Sequence, residues 1–264
     1  MSFEIRPLSD ALGAEVIGID LTQPIDDAAF TVLHKAHLNY QVLVFREQQL
    51  TPQQQIDFSV RFGPLDKHPS QGKAHLEGYP DILVVSTKTE NGKDVGIRNA
   101  GPAWHSDLAY MEQPALGSML YALELPDSGG NTGFANMYAA CEALPKDLRE
   151  AVEKRRALFC STRNKELKAL HPILRTHPET GKKALYVNPA HSCHFEGWSI
   201  AESEGLLEFL YAHQIKEEFQ CRHVWKKGDL AIWDNRCTLH YPVNDYHGHR
   251  RLLHRITLKG DIPV

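Results

Sequence analysis

Short β-prone runs, each closed off by turn residues, set the first limit on the fold of this chain. They fall at 41–45, 82–86, 118–124, 184–188, 219–225, 229–233 and 252–258, with turn chemistry nearby at Gly129-Gly130, 178–181 and Lys227-Gly228. Runs this brief, rich in β-branched and aromatic residues and bounded by glycine or proline, are strands rather than buried helices. They crowd the second half of the chain, as expected of a closed or two-sheet antiparallel barrel. Helical signals stand between them. Amphipathic spacing predicts a helix over 26–39, with Phe30, Leu33, His34 and His37 on one side. Thr51, Pro52 and Gln54 supply an N-cap, a first-turn proline and a capping box for a second helix carrying Ile56, Phe58, Val60 and Phe62. A third is expected over 145–156. Ser199 and Glu202 form another capping box, followed by an apolar stripe of Leu206, Leu207, Leu210 and Tyr211. The expected fold class is mainly β with flanking helices.

With 264 residues and no internal repeat, low-complexity tract or long Gly/Ser/Pro linker, the span 1–264 reads as a single domain. Polar stretches at 69–79 and 88–102 read as surface loops around a short strand at 81–87. The second loop runs straight into His105, which makes it a candidate lid.

The formal net charge is −4 and no block of lysines and arginines gathers anywhere, so no nucleic-acid partner is expected. No basic start followed by an apolar core opens the chain, and no segment approaches the roughly 18 uninterrupted apolar residues of a membrane span. No membrane partner and a cytoplasmic location are the expectations. Five cysteines, at 141, 160, 193, 221 and 237, form no CxxC pair and read as reduced, small buried hydrophobes.

The chemistry concentrates in two segments. Trp104-His105-Ser106-Asp107 sets a histidine and an aspartate two residues apart, so an extended strand would project both from one face. A further neutral imidazole would complete a two-histidine, one-carboxylate triad that holds Fe(II) and leaves positions open for substrate and oxygen. The second segment reads Trp233-Asp234-Asn235-Arg236-Cys237-Thr238-Leu239-His240-Tyr241, followed by Arg250-Arg251-Leu252-Leu253-His254-Arg255.

With WHSD, GGNT, WDNRCTLH and RRLLHR in that order, the chain resembles the taurine dioxygenase and chlorophenoxyacetate dioxygenase family of 2-oxoglutarate enzymes. The likeness runs from Leu12-Gly13-Ala14-Glu15 and Phe62-Gly63-Pro64 to Lys259-Gly260-Asp261. It implies a double-stranded β-helix (jelly roll) whose mouth holds iron through His105, Asp107 and His240. It also implies that Arg251 grips the far carboxylate of the cosubstrate 2-oxoglutarate and that Thr132 binds the same group. Arginine suits that role because its planar fork gives two parallel charge-assisted hydrogen bonds. By the same resemblance Arg255 and His68 are substrate ligands. Arg255 stands at an even offset from Arg251, so a strand would carry both on one face.

The family chemistry is oxidation of a C–H bond by dioxygen, coupled to conversion of 2-oxoglutarate into succinate and carbon dioxide. A small organic anion (a carboxylate, sulfonate or sulfate ester) is the expected substrate, because Arg255 would otherwise be an unpaired charge in a pocket. The stretch 99–103 departs from the acidic and amide-bearing segment that meets the amine in the taurine enzyme, which speaks against taurine itself. The segment 161–170 is short for the family, so the pocket wall there is expected to be open. His191, Cys193 and His194 lie close in sequence but lack the separated ligand pairs of a structural zinc site. His171 and His177 read as loop histidines, and His247 and His249 as solvent-facing ones. Relatives often form dimers or tetramers, which makes a homodimer or homotetramer the expected assembly. Two other classes share part of this pattern. A metal-dependent hydrolase would work without oxygen or 2-oxoglutarate, and a non-catalytic barrel sensing an anionic metabolite would bind ligand without forming succinate.

Overall fold

The structure, a computed structural model, describes residues 3–66, 74–90, 92–98, 101, 103–246 and 248–264. Its strands are short, as the sequence requires. A nine-stranded sheet takes β1 (Glu4–Pro7), β2 (Ala14–Ile17), β3 (Val42–Phe45), β4 (Leu65–Asp66), β5 (His75–Leu76), β6 (Tyr79–Ser86), β9 (Ala115–Glu124), β17 (Leu230–Asp234) and β19 (Leu252–Lys259). β7 (Thr89–Glu90) and β8 (Lys93–Asp94) form a small hairpin beside it. The spatial order is β1-β2-β3-β17-β9-β19-β6-β5, with β4 also pairing β19, and only β2 against β3 is parallel among these pairs. A three-stranded sheet of β10 (Thr132–Asn136), β16 (Gln220–His223) and β18 (Thr238–Pro242), ordered β16-β10-β18, faces the large one. The two sheets make the double-stranded β-helix.

β3 and β17 are buried along their whole length, which explains why they read as continuous apolar runs rather than alternating ones. Successive side chains serve two cores. Leu43, Phe45, Leu230 and Ile232 pack outward against Leu33 of α1 (Asp27–Tyr40), Phe58 of α2 (Pro52–Ser59) and Phe62 just beyond it. Val42, Val44, Ala231 and Trp233 point inward, where Phe134 of the smaller sheet and Leu253 meet them. The helices start where the caps predict. Asp26 accepts from the Ala29 amide at the head of α1, and the Thr51–Gln54 capping box opens α2. Val60 ends α2 and is half exposed, whereas Phe62 two residues on is buried in the core.

A third layer covers the mouth of the barrel. β11 (Arg156–Cys160) lies between β12 (Lys168–Pro172) and β15 (Ser192–Phe195), and β13 (Leu174–Thr176) pairs β14 (Lys183–Leu185). α3 (Met137–Glu142), α4 (Lys146–Glu153) and α5 (Ile200–Gln214) pack around them, with Leu207 and Leu210 of α5 in the shared core. Much of this layer differs from the sequence expectation. The helix over 145–156 ends at Glu153 because the chain turns to pair Arg156 with Pro172, and 184–188 is strand only through Leu185. The run 219–225 starts as a 3-10 turn, Glu217–Phe219, before entering β16. No helix among the described residues is long and apolar enough to cross a membrane.

Candidate active site

His105 and His240, distant in sequence, meet at a single antiparallel bridge. The His105 amide donates to the His240 carbonyl at 3.0 Å and the His240 amide returns the bond at 2.8 Å. The register is set from the other side by β10, whose Phe134 pairs His240 within the smaller sheet. The two imidazole rings lie 4.1 Å apart. After the bridge the chain does not continue as a strand. The chain enters a turn at Asp107 and Leu108, where Leu108 takes a left-handed φ of 56°, and Asp107 reaches the same point as the two imidazoles. The Asp107 Oδ1 is 3.5 Å from His105 Nε2 and 3.6 Å from His240 Nε2. One ligand atom from each of the three lies within 4.8 Å of the others, and all three residues are buried.

The donors are prepared for a metal ion. His105 Nδ1 lies 2.8 Å from the Ala103 carbonyl, so it carries the proton and leaves Nε2 with its lone pair toward Asp107. Burial, with His105 next to it, pushes His240 well below its ordinary value and keeps it neutral. Burial alone would push the Asp107 carboxyl up. The guanidinium of Arg255 outweighs it and holds the carboxyl well below the usual range. Two imidazoles and one ionised carboxylate on one side of a cavity suit a divalent transition ion with positions left open.

Arg251 sits 5% exposed just before β19, over the Tyr246 ring at 5.3 Å. Its Nη2 donates to the Gly130 carbonyl at 3.4 Å, and its buried Nε has no partner. Burial pushes the guanidinium down from its ordinary value. A buried cation without a carboxylate partner is costly, so the site wants an anion from outside the chain. Thr132 opens β10 two residues after Gly130 and is equally buried; its oxygen accepts from the Trp225 indole at 3.0 Å, leaving the hydroxyl proton to donate elsewhere.

Arg255 is not the lone charge the sequence suggests. It pairs Asp107 Oδ2 at 2.8 Å and donates to Ser118 Oγ at 3.3 Å, while its Nε has no partner. It lines a cavity of about 240 Å³ that also contains His105 and Asp107. Leu83, Val85, Ile97 and Leu108 give that cavity an apolar wall, and Ser161, Asn164 and Leu167 of the short 161–170 segment close another side. Tyr110 and His191 stand at the same wall, with ring centroids 5.0 Å apart. Ile97, in the candidate lid, is tied back to β6 by hydrogen bonds to and from Val84 and Ser86. His68, and positions 99, 100 and 102 of the departing stretch, lie outside the described residues. A larger surface cleft of about 660 Å³, bounded by Lys88, Arg98, His249 and Arg250, contains none of the three candidate ligands.

Two residues to which the sequence assigned no role touch the site. Ser118 donates to Asp107 Oδ2 at 2.7 Å, and Asn235 bonds both the Asp107 amide and its carboxylate. Asn235 stood in the WDNR motif and could have been found there; Ser118 had no signal.

A second buried group, His177, Asp234 and Cys237, is explained without a metal. His177 Nδ1 accepts from the amides of Glu179 and Thr180, so Nε2 carries the proton and donates to Asp234 Oδ2 at 3.0 Å. Arg236 takes both oxygens of Asp234, and the knot pins the turn between β17 and β18. His171, expected in a loop, lies buried in β12 with Nε2 bonded to the Met111 carbonyl, and His177 is also buried. His249 is exposed as expected, and His247 lies outside the described residues.

Comparison with known proteins agrees with this geometry. The chain is 35% identical to the alpha-ketoglutarate-dependent 2,4-dichlorophenoxyacetate dioxygenase of Cupriavidus pinatubonensis, over the full length of both. It is 30% identical to the alpha-ketoglutarate-dependent sulfate ester dioxygenase of Pseudomonas putida, covering all of this chain and 92% of that one. The crystal structure of AAD-2 in complex with Mn(II) and N-oxalylglycine superposes with a TM-score of 0.85 at 29% identity, covering 100% of this chain and 99% of that one. The profile described as taurine catabolism dioxygenase TauD, TfdA family matches residues 4–257, and on that match the chain belongs to the TauD/TfdA family.

Proposed function

We propose that this chain, acting as one domain over 1–264, is an Fe(II)- and 2-oxoglutarate-dependent dioxygenase that oxidises a C–H bond of a small organic anion. His105, Asp107 and His240 are the residues that would hold the iron. The reaction class is that of the family, whose relatives above depend on alpha-ketoglutarate, another name for 2-oxoglutarate. The observation that carries the site assignment is the convergence of three ligand atoms within 4.8 Å beside a buried guanidinium without an anionic partner. Bound Fe(II) and 2-oxoglutarate supply the activation of dioxygen and the oxidation, with succinate and carbon dioxide as coproducts.

The chain's own residues bind and orient. Arg251 presents its free Nε edge to the far carboxylate of 2-oxoglutarate, and the Thr132 hydroxyl donates to the same group. Arg255 serves two partners, with Nη2 steadying Asp107 and the unpartnered Nε offering one hydrogen bond to the substrate's anionic end. The apolar wall of Leu83, Val85, Ile97 and Leu108 holds the organic body of the substrate and excludes water from the reacting carbon. Carboxylates, sulfonates and sulfate esters all fit that pattern, and His68 is retained as a further substrate ligand. A cytoplasmic homodimer or homotetramer belongs to the same proposal; the five free thiols suit a reducing compartment.

Anaerobic addition of Fe(II) and 2-oxoglutarate tests the reading. The wild-type protein should develop the weak visible charge-transfer band of the chelate, and organic acids that serve as substrates should shift it and stimulate succinate release in air. His240→Ala should give neither. Turnover of a substrate without oxygen and 2-oxoglutarate would establish a hydrolase instead, and tight ligand binding with no succinate from any acid would establish a sensor.

A further inference from the structure

The outer oxygen of Asp107 is crowded with donors. Oδ2 accepts from the Ser118 hydroxyl at 2.7 Å, from Arg255 Nη2 at 2.8 Å and from Asn235 Nδ2 at 3.4 Å, whereas among the described residues Oδ1 faces only the two imidazole nitrogens. Ser118 is saturated in doing so. Its proton goes to Asp107, and its lone pairs accept from Asn235 Nδ2 and Arg255 Nη2, both at 3.3 Å. Asn235 is fixed from its other end, because its carbonyl accepts from the Asp107 amide at 3.1 Å and from the Trp233 indole at 3.0 Å. Turning that amide over would set N–H against N–H twice.

These contacts are built into the large sheet. Ser118 lies on β9 opposite Trp233 of β17 and Thr257 of β19, and the Asn235 amide donates to Leu116 of β9 at 2.9 Å. Ser118 and Asn235 are at most 1% exposed, so no water competes for the carboxylate.

Carboxylates bind divalent ions through one oxygen or through both. A triad that leaves positions open for cosubstrate and oxygen needs the first mode. We propose that Ser118 and Asn235 are positioning residues that hold Asp107 to its Oδ1, occupying Oδ2 so that it does not claim a position 2-oxoglutarate requires. The inference rests on the reading of His105, Asp107 and His240 as metal ligands. Arg255 shares the oxygen but also faces the substrate cavity, so the two neutral residues are the clean probes.

Co(II) serves as a spectroscopic substitute for the ferrous ion. Ser118→Ala removes one oxygen atom, and Asn235→Asp keeps the volume and both acceptor bonds while replacing the Nδ2 donor by an oxygen. Both variants should melt cooperatively without metal. With Co(II) bound, each should show a visible spectrum altered from wild type, and each should bind 2-oxoglutarate about tenfold or more weakly, the scale usual for partners of metal ligands. If either folded variant retains the wild-type Co(II) spectrum and binds 2-oxoglutarate within twofold of wild type, the positioning role is overturned. If instead the wild-type protein takes up no Co(II), or His240→Ala takes it up equally well, the metal-site reading itself has failed.

Discussion

At the scale of single residues, Arg251 is a candidate anion ligand whose surroundings are fixed by the fold. Its guanidinium is buried against Tyr246 and Gly130 and meets no carboxylate among the described residues. Replacing it with glutamine removes the charge and the planar fork together. Arg251→Gln should raise the KM for 2-oxoglutarate by about 30-fold or more, corresponding to about 2 kcal/mol for the loss of one partner of a buried charged pair. Steady-state assays with 2-oxoglutarate and with a 2-oxo monocarboxylic acid would check it, since discrimination between the two should shrink in the variant. An unchanged KM would remove Arg251 from the cosubstrate site. The charged side chains and candidate metal ligands that meet at this site were legible from sequence because few residue types can do such work. Ser118 was not, because a serine on a strand looks the same whether it meets water or a carboxylate.

At the scale of elements, the approach to His105 is as constrained as the ligands. Gly101 has a φ of +102°, and a Cβ built there would stand 2.3 Å from His105 Cε1. Gly101→Ala should therefore displace the His105 imidazole and weaken metal binding by about tenfold or more. Gly181→Ala, also at positive φ but with nothing within 4 Å of its added carbon, controls for backbone strain alone. Titration of both variants with Co(II) distinguishes the effects, and equal affinities would show that the loop yields to the added carbon. Strands buried on both faces, such as β3 and β17, announced themselves as unbroken apolar runs. β12 and β15 did not, because Lys168-Ala169-Leu170-His171-Pro172 and Ser192-Cys193-His194-Phe195 lack β-branched residues and owe their pairing to β11 between them. The turn at Leu108 was equally hidden, since no glycine or asparagine marks it.

At the scale of the whole molecule, buried histidines couple stability to pH. His37 and His171 are each about 1% exposed, and burial lowers both to about 4. Between that value and the ordinary 6.5, the unfolded chain takes up protons that the folded chain refuses. Stability therefore falls as pH drops through this window, by about 1.4 kcal/mol per pH unit for each such histidine. The melting temperature should be level above neutrality and decline below about pH 6.5. His37→Leu should flatten that decline by one histidine's share, and thermal melts across the range would check it; an unchanged slope would mean that His37 is protonated in the fold. Facing sheets and an outer helical layer were foreseeable from the order of elements. The covering of the mouth by 156–195 was not, because its strands pair among themselves and carry no pattern tied to the barrel.

The place of β19 between β9 and β6 bears on how the protein is made. Synthesis proceeds from the N-terminus, so until residues 252–259 clear the ribosome the large sheet exists as two halves, each with an unpaired edge. Arg255 travels on that strand and Arg251 immediately ahead of it. A nascent chain can thus carry both imidazoles and the aspartate while lacking the guanidinium that steadies the carboxylate, so truncation within 252–259 would damage the sheet and the candidate site at once.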